Sequence, residues 1–379
     1  MKVLIVNSVC GIGSTGRICV SLARELEAAG HEVRIAYGRG TVPEDAQKYA
    51  LRIGNRLDFG WHLLMTRLFD GQGFASARAT RRFLAWAEEW KPDLLWLHNL
   101  HGYYIHCGLL FDWIKKRPDM EVRWTLHDCW AFTGHCPYFT AVNCSKWETC
   151  CGACPQKKLY PASLFLDRSR ANYLRKKAAF TGVKSLTLIT PSRWLAGLVK
   201  KSFLKDYPVE VRYNTIDTGV FRPTESRFRQ EHGLEGKKIV LGVSNAWQEP
   251  RKGLKDMLAL PSLLGEGFAV VIVGLPEELR KALPADVIGL GKTGSQRELA
   301  EIYTAADVFV NPTYEDNYPT TNLEAQACGT PVVTYDTGGS PESVPPENVV
   351  PVGDLGALAA RIKELSGLQP GGSVLAPYP

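Results

Sequence analysis

A chain of 379 residues, 45% apolar and 22% charged, is long enough for two globular domains of ordinary size, each with its own core. No stretch approaches the roughly 20 consecutive apolar residues that cross a bilayer as a helix, and the first residues run straight into a strand, so neither a helical span nor a secretory leader is expected and a cytoplasmic location is. The net charge of +6 conceals an asymmetry, since residues 1–212 hold 31 Lys and Arg against 18 Asp and Glu while the remainder holds 14 against 21. A basic half joined to an acidic half points to an anionic surface or ligand at one of them. The basic residues are not interleaved with aromatics as in a single-strand nucleic-acid groove, so no nucleic acid is expected.

The first strand, "KVLIV", leads into "NSVCGIGSTGRI" (7–18), a G-x-G-x-x-G at Gly11, Gly13 and Gly16. A helix is expected from Ser14 or Thr15, with Ile18, Leu22 and Leu26 as its apolar stripe, and its N-terminus favours an anion. A dinucleotide fingerprint also needs a carboxylate about 20 residues on. The second strand, "HEVRIAY", exits into "GRG" with no acid at Tyr37 or Gly38, leaving only Arg39 for a 2′-phosphate. The residues alone leave three readings: another phosphate, a nicotinamide cofactor, or a close-packed turn.

Two further strands, "KPDLLWLHNL" (91–100) and "MEVRWTLHD" (120–128), end in polar side chains: His98, Asn99, His101 and Tyr103 after one, His127 and Asp128 after the other. Several such groups at strand ends of one domain favour a sugar pocket over a lone structural histidine. Of the ten cysteines, six fall between 129 and 154, and Cys136, Cys144, Cys151 and Cys154 have the spacing C-x₇-C-x₆-C-x₂-C. The closing C-G-A-C places two thiolates on one ion, so structural zinc is expected there, with reduced thiols, disulfides and an iron–sulfur cluster as alternatives. The basic runs "RSRANYLRKK" (168–177) and "KKSFLK" (200–205), beside apolar "LFL" at 164–166, read either as a membrane-surface contact or as a solvated face. After the strand and helix of "LTLITPSRWLAGLV" (186–199), polar and turn-forming residues at 213–228 interrupt the pattern.

A second series of strands alternating with helices starts at "KKIVLGVSN" (237–245) and continues through "FAVVIVGLP", "DVIGLG", "ADVFVNPT" and "PVVTYDTGG". Two such series predict an α/β protein of two Rossmann-like, doubly wound domains, 1–212 and 229–379, joined by 213–228. In such sheets ligands bind beyond the carboxyl ends of the strands. There the second domain carries "NPTYEDNYPTTNLEAQACGTPVVTYDTGGSPESV" (311–344), with Glu315 and Asp316 before a turn and Glu324 in the helix after it. Carboxylates accept paired hydrogen bonds from vicinal diols, and amides at Thr320 and Thr321 suit a diphosphate.

In these segments the chain resembles the family 4 glycosyltransferases of GT-B fold, which move a sugar from a nucleotide-sugar donor. "ADVFVNPTYED…LEAQACGTPVVTYDTGG" is similar to their E-x₇-E region, "YNTIDTGVF" to their interdomain N-G-I-D-x-x-x-F, and "EPRKGLKDML" to their E-K-G-x-x-x-L phosphate segment. "GSTGRI", "HNLHGYYI" and "HDCWAFTGHCPY…CGACP" resemble, more narrowly, enzymes of bacterial capsule and exopolysaccharide assembly. The resemblance implies two domains facing each other across a cleft. His127 would lie beside the transferred sugar, with Asp316 or Glu315 as the first acid and Glu324 on the ribose. Arg251 and Lys252 would hold the diphosphate, with Asn317, Thr320 and Thr321 beside them. Gly11, Gly13 and Ser14 would cap a donor phosphate, so the glycine loop is not a nicotinamide site. Acceptor contacts would fall to His98, Asn99, His101 and Tyr103. It further implies retained configuration. The resulting reading is transfer of a hexose from a UDP-, GDP- or dTDP-sugar to a glycan acceptor on a lipid, with two cations and helix-end amides in place of a catalytic metal, and the basic first half adds an expected contact with an anionic membrane surface.

Three departures stand out. Asp316 occupies the place of a glutamate, "GVSNAW" (242–247) lacks the family's arginine, and no crossover helix is expected after "ALAARIKEL". The rival readings are a nucleotide-sugar epimerase of the same fold and a non-catalytic sugar-binding scaffold.

Overall fold

The computed structural model describes residues 1–367. The expectation that no crossover helix follows "ALAARIKEL" therefore falls largely on 368–379, outside the described residues. The chain divides into two compact units, the first Met1–Tyr213 and the second beginning at Asn214.

The first unit is built on a parallel sheet of β1 (Lys2–Asn7), β2 (Glu32–Tyr37), β3 (Ala50–Arg52), β4 (Leu94–Leu97), β5 (Glu121–Thr125), β6 (Leu186–Thr190) and β7 (Val209–Val211), in the order β3-β2-β1-β4-β5-β6-β7. Its helices are α1 (Gly13–Ala28), α2 (Arg56–Phe69), α3 (Ala77–Trp90), α4 (Cys107–Lys115), α5 (Ser169–Phe180) and α6 (Arg193–Val199). Apolar runs such as "VLIV" of β1 are buried on both faces because helices cover both. One face packs Leu4, Leu95 and Val122 against α3 and α4 residues such as Phe83 and Phe111, and the other packs Val3, Ile5 and Trp96 against Cys19 and Ala23 of α1.

The second unit repeats the plan with β8 (Lys238–Val243), β9 (Phe268–Val273), β10 (Val287–Leu290), β11 (Val308–Asn311), β12 (Val332–Tyr335) and β13 (Val349–Val350), in the order β10-β9-β8-β11-β12-β13. Its helices are α7 (Phe228–Glu231), α8 (Leu254–Leu264), α9 (Glu277–Lys281), α10 (Gln296–Ala305), α11 (Thr320–Ala327) and α12 (Leu355–Gly367). The stretch 214–228 is not a bare linker: Phe221 and Phe228 are buried in this unit's core with Tyr303 and Phe309.

Strand order reverses between β1 and β4 in one sheet and between β8 and β11 in the other. The connections leaving these strands diverge to opposite faces and open a crevice at the carboxyl ends, where doubly wound sheets take their ligands. The predicted site residues follow these strands.

Candidate active site

At the first reversal, buried Asn7 ends β1 and ties two loops together. Its Nδ2 donates to Val9 O at 2.8 Å and to Thr15 Oγ1 at 3.4 Å, and its Oδ1 accepts the Asn99 N–H at 3.2 Å. Helix α1 starts at Gly13, one residue before the expected Ser14, and the loop before it turns through Gly11 and Gly13, both at positive φ, 73° and 64°. A Cβ on Gly11 would lie 2.7 Å from Pro43 Cδ, so the loop needs glycine there for space as well as conformation. The helix has Ile12 at its N-cap and no side-chain cap, which leaves its first-turn amides and the positive end of its dipole to a ligand.

After β4 and β5 the predicted histidines meet. His98 Nδ1 lies 2.9 Å from His127 Nε2, and the rings stack at 5.2 Å. Burial holds His98 well below the usual imidazole range, and burial lowers His127 to about 4 against the opposing pull of Asp128. Both rings are therefore neutral at physiological pH, one nitrogen donating and the other accepting. His101 bridges Asp128 Oδ2, at 2.8 Å from Nε2, and the Tyr160 hydroxyl, at 3.0 Å from Nδ1. Burial pushes the Asp128 carboxyl up, but His101 and the Trp130 N–H, 2.9 Å from Oδ1, carry it below its usual range. Tyr103 sits at φ 68° and packs edge-on to Phe59 and Tyr160. Its hydroxyl and the Nε of Arg39 are buried without a hydrogen-bond partner, so both have capacity for a ligand. The structure thus gathers His98, Asn99, His101 and His127. It adds Tyr160, 59 residues from His101 in sequence, which no local signal marked.

The donor-side residues gather at the second reversal. Arg251 and Lys252 lie in a short 3₁₀ turn, Pro250–Lys252, that ends at Gly253 with φ 72°. A Cβ on Gly253 would lie 2.0 Å from Pro312 O, so glycine is what lets this turn press against the end of β11. Two hydrogen bonds fasten the contact, from Tyr314 N and Thr313 Oγ1 to Arg251 O at 2.7 and 3.1 Å. Arg251 reaches Glu249 Oε2 at 2.7 Å and donates to Glu315 O at 3.0 Å. Lys252 Nζ lies 2.5 Å from Asp316 Oδ2. Burial lowers the Lys252 ammonium from its usual range, and the adjacent Asp316 opposes this. Burial raises Asp316, but Lys252 and Arg251 outweigh it and hold the carboxylate low. Asp316 is therefore the acid turned to the cations, while Glu315 is buried and lends them its carbonyl.

Helix α11 follows directly, with Pro319 at its N-cap and no side-chain cap over Thr320 and Thr321. Its first turn stands on a rigid base: Asn322 Oδ1 accepts from Asn311 Nδ2 at 2.8 Å, and its Nδ2 donates to Ser340 Oγ and Ser343 Oγ at 3.2 and 2.8 Å. Asn317 is buried, with its N–H donating to Asp316 Oδ1 at 3.0 Å. Glu324, 3% exposed, accepts from Tyr303 OH at 3.2 Å.

Two turns of a parallel sheet that present cations, uncapped amides and a buried carboxylate suit a nucleoside diphosphate. In comparison with known proteins, residues 13–215 match the glycosyl transferase 4-like domain, and residues 237–367 match the glycosyl transferases group 1. The chain belongs to the glycosyltransferases. It is 23% identical over 356 residues, 90% of this chain and 85% of the other, to the Escherichia coli K12 protein WcaC, named as a colanic acid biosynthesis glycosyl transferase. Over 121 residues, 31% of each chain, it is 28% identical to the N,N'-diacetylbacillosaminyl-diphospho-undecaprenol alpha-1,3-N-acetylgalactosaminyltransferase of Campylobacter jejuni. Its fold is similar to that of Anabaena HepE, solved with UDP and glucose, with TM-score 0.64, 15% identity, and 96% and 89% of the two chains covered. The fold is GT-B, and the enzyme is a glycosyltransferase with relatives in polysaccharide biosynthesis.

The four cysteines singled out from sequence line a single cavity of about 10 Å³. No disulfide joins any of them, and among the described residues no group of three or more His, Cys, Asp or Glu side chains is placed closely enough to hold a metal ion as it stands. The basic run at 168–177 is split by the fold. Arg168, Arg170, Arg175 and Lys177 are exposed, whereas Lys176 is buried, donating to Trp130 O and Thr133 O at 2.8 and 3.1 Å. No helix among the described residues is long and apolar enough to cross a membrane.

Proposed function

We propose that this glycosyltransferase moves a hexose, with retained configuration, from a nucleotide-sugar to a lipid-linked glycan. The observation that carries the donor half is the Lys252–Asp316 pair beside Arg251, set at the uncapped start of α11. As the glycosidic bond to the diphosphate breaks, negative charge grows on the leaving oxygen. Two fixed cations and helix-end amides stabilise that charge without a catalytic metal. In this reading Asp316, held ionised, accepts hydrogen bonds from sugar hydroxyls, and Glu324 accepts them from the ribose.

Glu324→Gln keeps the size of the side chain and removes its charge. We expect it to weaken free nucleotide and nucleotide-sugar alike by about tenfold, the size of one charge-assisted hydrogen bond. Calorimetric titration of both ligands checks this, and equal nucleotide affinity in variant and wild type rejects the ribose role. A thermal-shift screen of UDP-, GDP- and dTDP-sugars, followed by analysis of the anomeric configuration of the product, tests the function as a whole. Formation of a free epimerised sugar nucleotide in place of a glycoside would reject it.

The acceptor half is supported by the surface of the first unit. Leu57, Trp61 and Leu64 share one face of α2 and are exposed, Leu57 at 82% and Trp61 at 55%. Leu164, Phe165 and Leu166 are exposed as well, and the Leu164 N–H donates to Arg67 O at 2.8 Å, which sets this segment at the end of α2. Exposed apolar groups next to the basic residues of α5 suit an anionic membrane surface, at ~1 kcal/mol per Lys or Arg. Liposome flotation should show binding to anionic vesicles at low salt and its loss at high salt, with Trp61→Ser and Phe165→Ser each reducing it several-fold. Equal absence of binding to anionic and neutral vesicles at low salt would reject the surface.

A further inference from the structure

The loop between β5 and α5 contains a group of side chains that sugar transfer does not use. His135 lines the same cavity as Cys136, Cys144, Cys151 and Cys154. The cavity's volume, about 10 Å³, is at the lower limit for one water molecule and leaves room for a single ion. His135 is 1% exposed, and its Nδ1 lies 2.9 Å from Oδ1 of the fully buried Asp70. Gln72 Nε2 also lies 3.0 Å from Nδ1, but it turns a hydrogen to the same Asp70 Oδ1, and a carboxylate only accepts; Nδ1 of the neutral ring therefore donates to Asp70, and Nε2 carries a lone pair. The carboxylate is itself held in place: Gln72 Nε2 donates to Oδ1 at 3.2 Å, and Arg168 N–H donates to Oδ2 at 2.9 Å. Trp130 Nε1 donates to Gln72 Oε1, which fixes the amide's orientation. With Nδ1 committed, the opposite edge of the ring presents Nε2, and that atom is buried with no hydrogen-bond partner.

An orphaned imidazole lone pair among thiols, on a ring oriented by a buried carboxylate, is the arrangement in which histidine binds a metal. The sulfur side is organised to match. The Cys136 and Cys154 thiols are within hydrogen-bonding reach of each other, and Cys151 Sγ accepts the Gly134 N–H at 3.2 Å. A Cβ on Gly134 would lie 2.7 Å from Cys151 Cβ and 2.0 Å from Ser169 O, so only glycine permits this approach beside His135. In the C-G-A-C turn Ala153 adopts φ 46°, and Lys146 Nζ donates to Gly152 O and Ala153 O, both at 3.0 Å.

We propose that His135 Nε2 and the thiolates of Cys136, Cys151 and Cys154 bind one zinc ion, with Asp70 orienting His135 and Cys144 outside the ligand set. The three thiols each release a proton to solvent as the metal–sulfur bonds form, and the ligands close on the ion as it binds. The site pins the segment that carries Tyr160 to the His101 side of the pocket.

The test uses the full chain purified without chelator. Elemental analysis should find one zinc per chain. Cobalt substitution should give a near-ultraviolet thiolate band and a tetrahedral visible band at the position of three sulfurs and one nitrogen. Because the wild-type spectrum reports the ligand set directly, the result does not depend on any variant folding. Asp70→Asn should lower cobalt affinity by 10- to 100-fold, His135→Ala should lower it further and move the visible band, and Cys144→Ser should leave stoichiometry and spectrum unchanged. Metal-free wild-type protein that gives no cobalt band overturns the site. A four-sulfur spectrum that disappears in Cys144→Ser overturns the role of His135.

Discussion

Replacing Lys252 by alanine is expected to lower turnover about 100-fold or more while the protein stays folded. Removing one preorganised group that meets developing charge costs about 3 kcal/mol of transition-state stabilisation. Lys252 fits that description. Its ammonium is fixed 2.5 Å from Asp316 Oδ2, on a turn that Gly253 seats against β11, so little reorganisation is needed as charge develops. Its side chain is 17% exposed, which spares the interaction from full solvent screening. Lys252→Arg keeps the charge but not the compact head, and a planar guanidinium does not reproduce the contact with Asp316. It should therefore recover only part of the loss. Asp316→Asn should act differently, leaving a half-buried cation without its partner and raising its affinity for free diphosphate while turnover falls. Initial rates of nucleotide release with a saturating nucleotide-sugar, with circular dichroism as the control for folding, measure all three. Near-normal turnover in Lys252→Ala would remove this residue from the diphosphate site.

The parts of this enzyme legible in its sequence are those whose signals are local. Each strand that leads to a site residue is a short apolar run followed by polar or turn-forming residues, and β1, β4, β5, β8, β11 and β12 all lie where such runs predict them. The short edge strands β3, β7 and β13, of three, three and two residues, carry no run long enough to be read. Side-chain partnerships across the sheet were also beyond reach. Nothing near His135 marks Asp70, 65 residues earlier, as its partner, and nothing near His101 marks Tyr160. The choice between Glu315 and Asp316 was open for the same reason. Adjacent acids share a sequence context, and only the tertiary approach of the 250–253 turn distinguishes the carboxylate facing Lys252 from the buried one. The basic run at 168–177 shows the converse error, since charge alone did not reveal that Lys176 is turned inward to carbonyl oxygens.

Lowering the pH from 7.5 to 5 should destabilise the first unit, by about 2 kcal/mol through His62 and further through His98 and His127, all three buried as neutral rings. His62 is fully buried at the end of a fixed hydrogen-bond chain. Its Nε2 accepts the Gly73 N–H at 3.1 Å, so Nδ1 carries the proton and donates to Ser76 Oγ at 2.7 Å. A second proton would have to displace the Gly73 bond, and burial lowers this imidazole to about 3. Burial likewise holds His98 well below its usual value, with His127 at its Nδ1. In the unfolded chain both titrate near 6.5. Below that pH the unfolded state binds protons that the folded state refuses, so stability rises with pH across this window and falls as pH drops through it. At pH 5 His62 accounts for about 2 kcal/mol, from 1.5 units at 1.36 kcal/mol per unit, and His98 acts in the same direction. His62 alone is a sizeable share of the 5–15 kcal/mol typical of a domain. Nine of the ten tryptophans lie in this unit, so urea unfolding followed by intrinsic fluorescence reports on it. His62→Gln retains an acceptor for Gly73 and should reduce the difference between pH 7.5 and 5 by about 2 kcal/mol. A difference in that variant equal to the wild-type value would show that His62 is not one of the groups responsible.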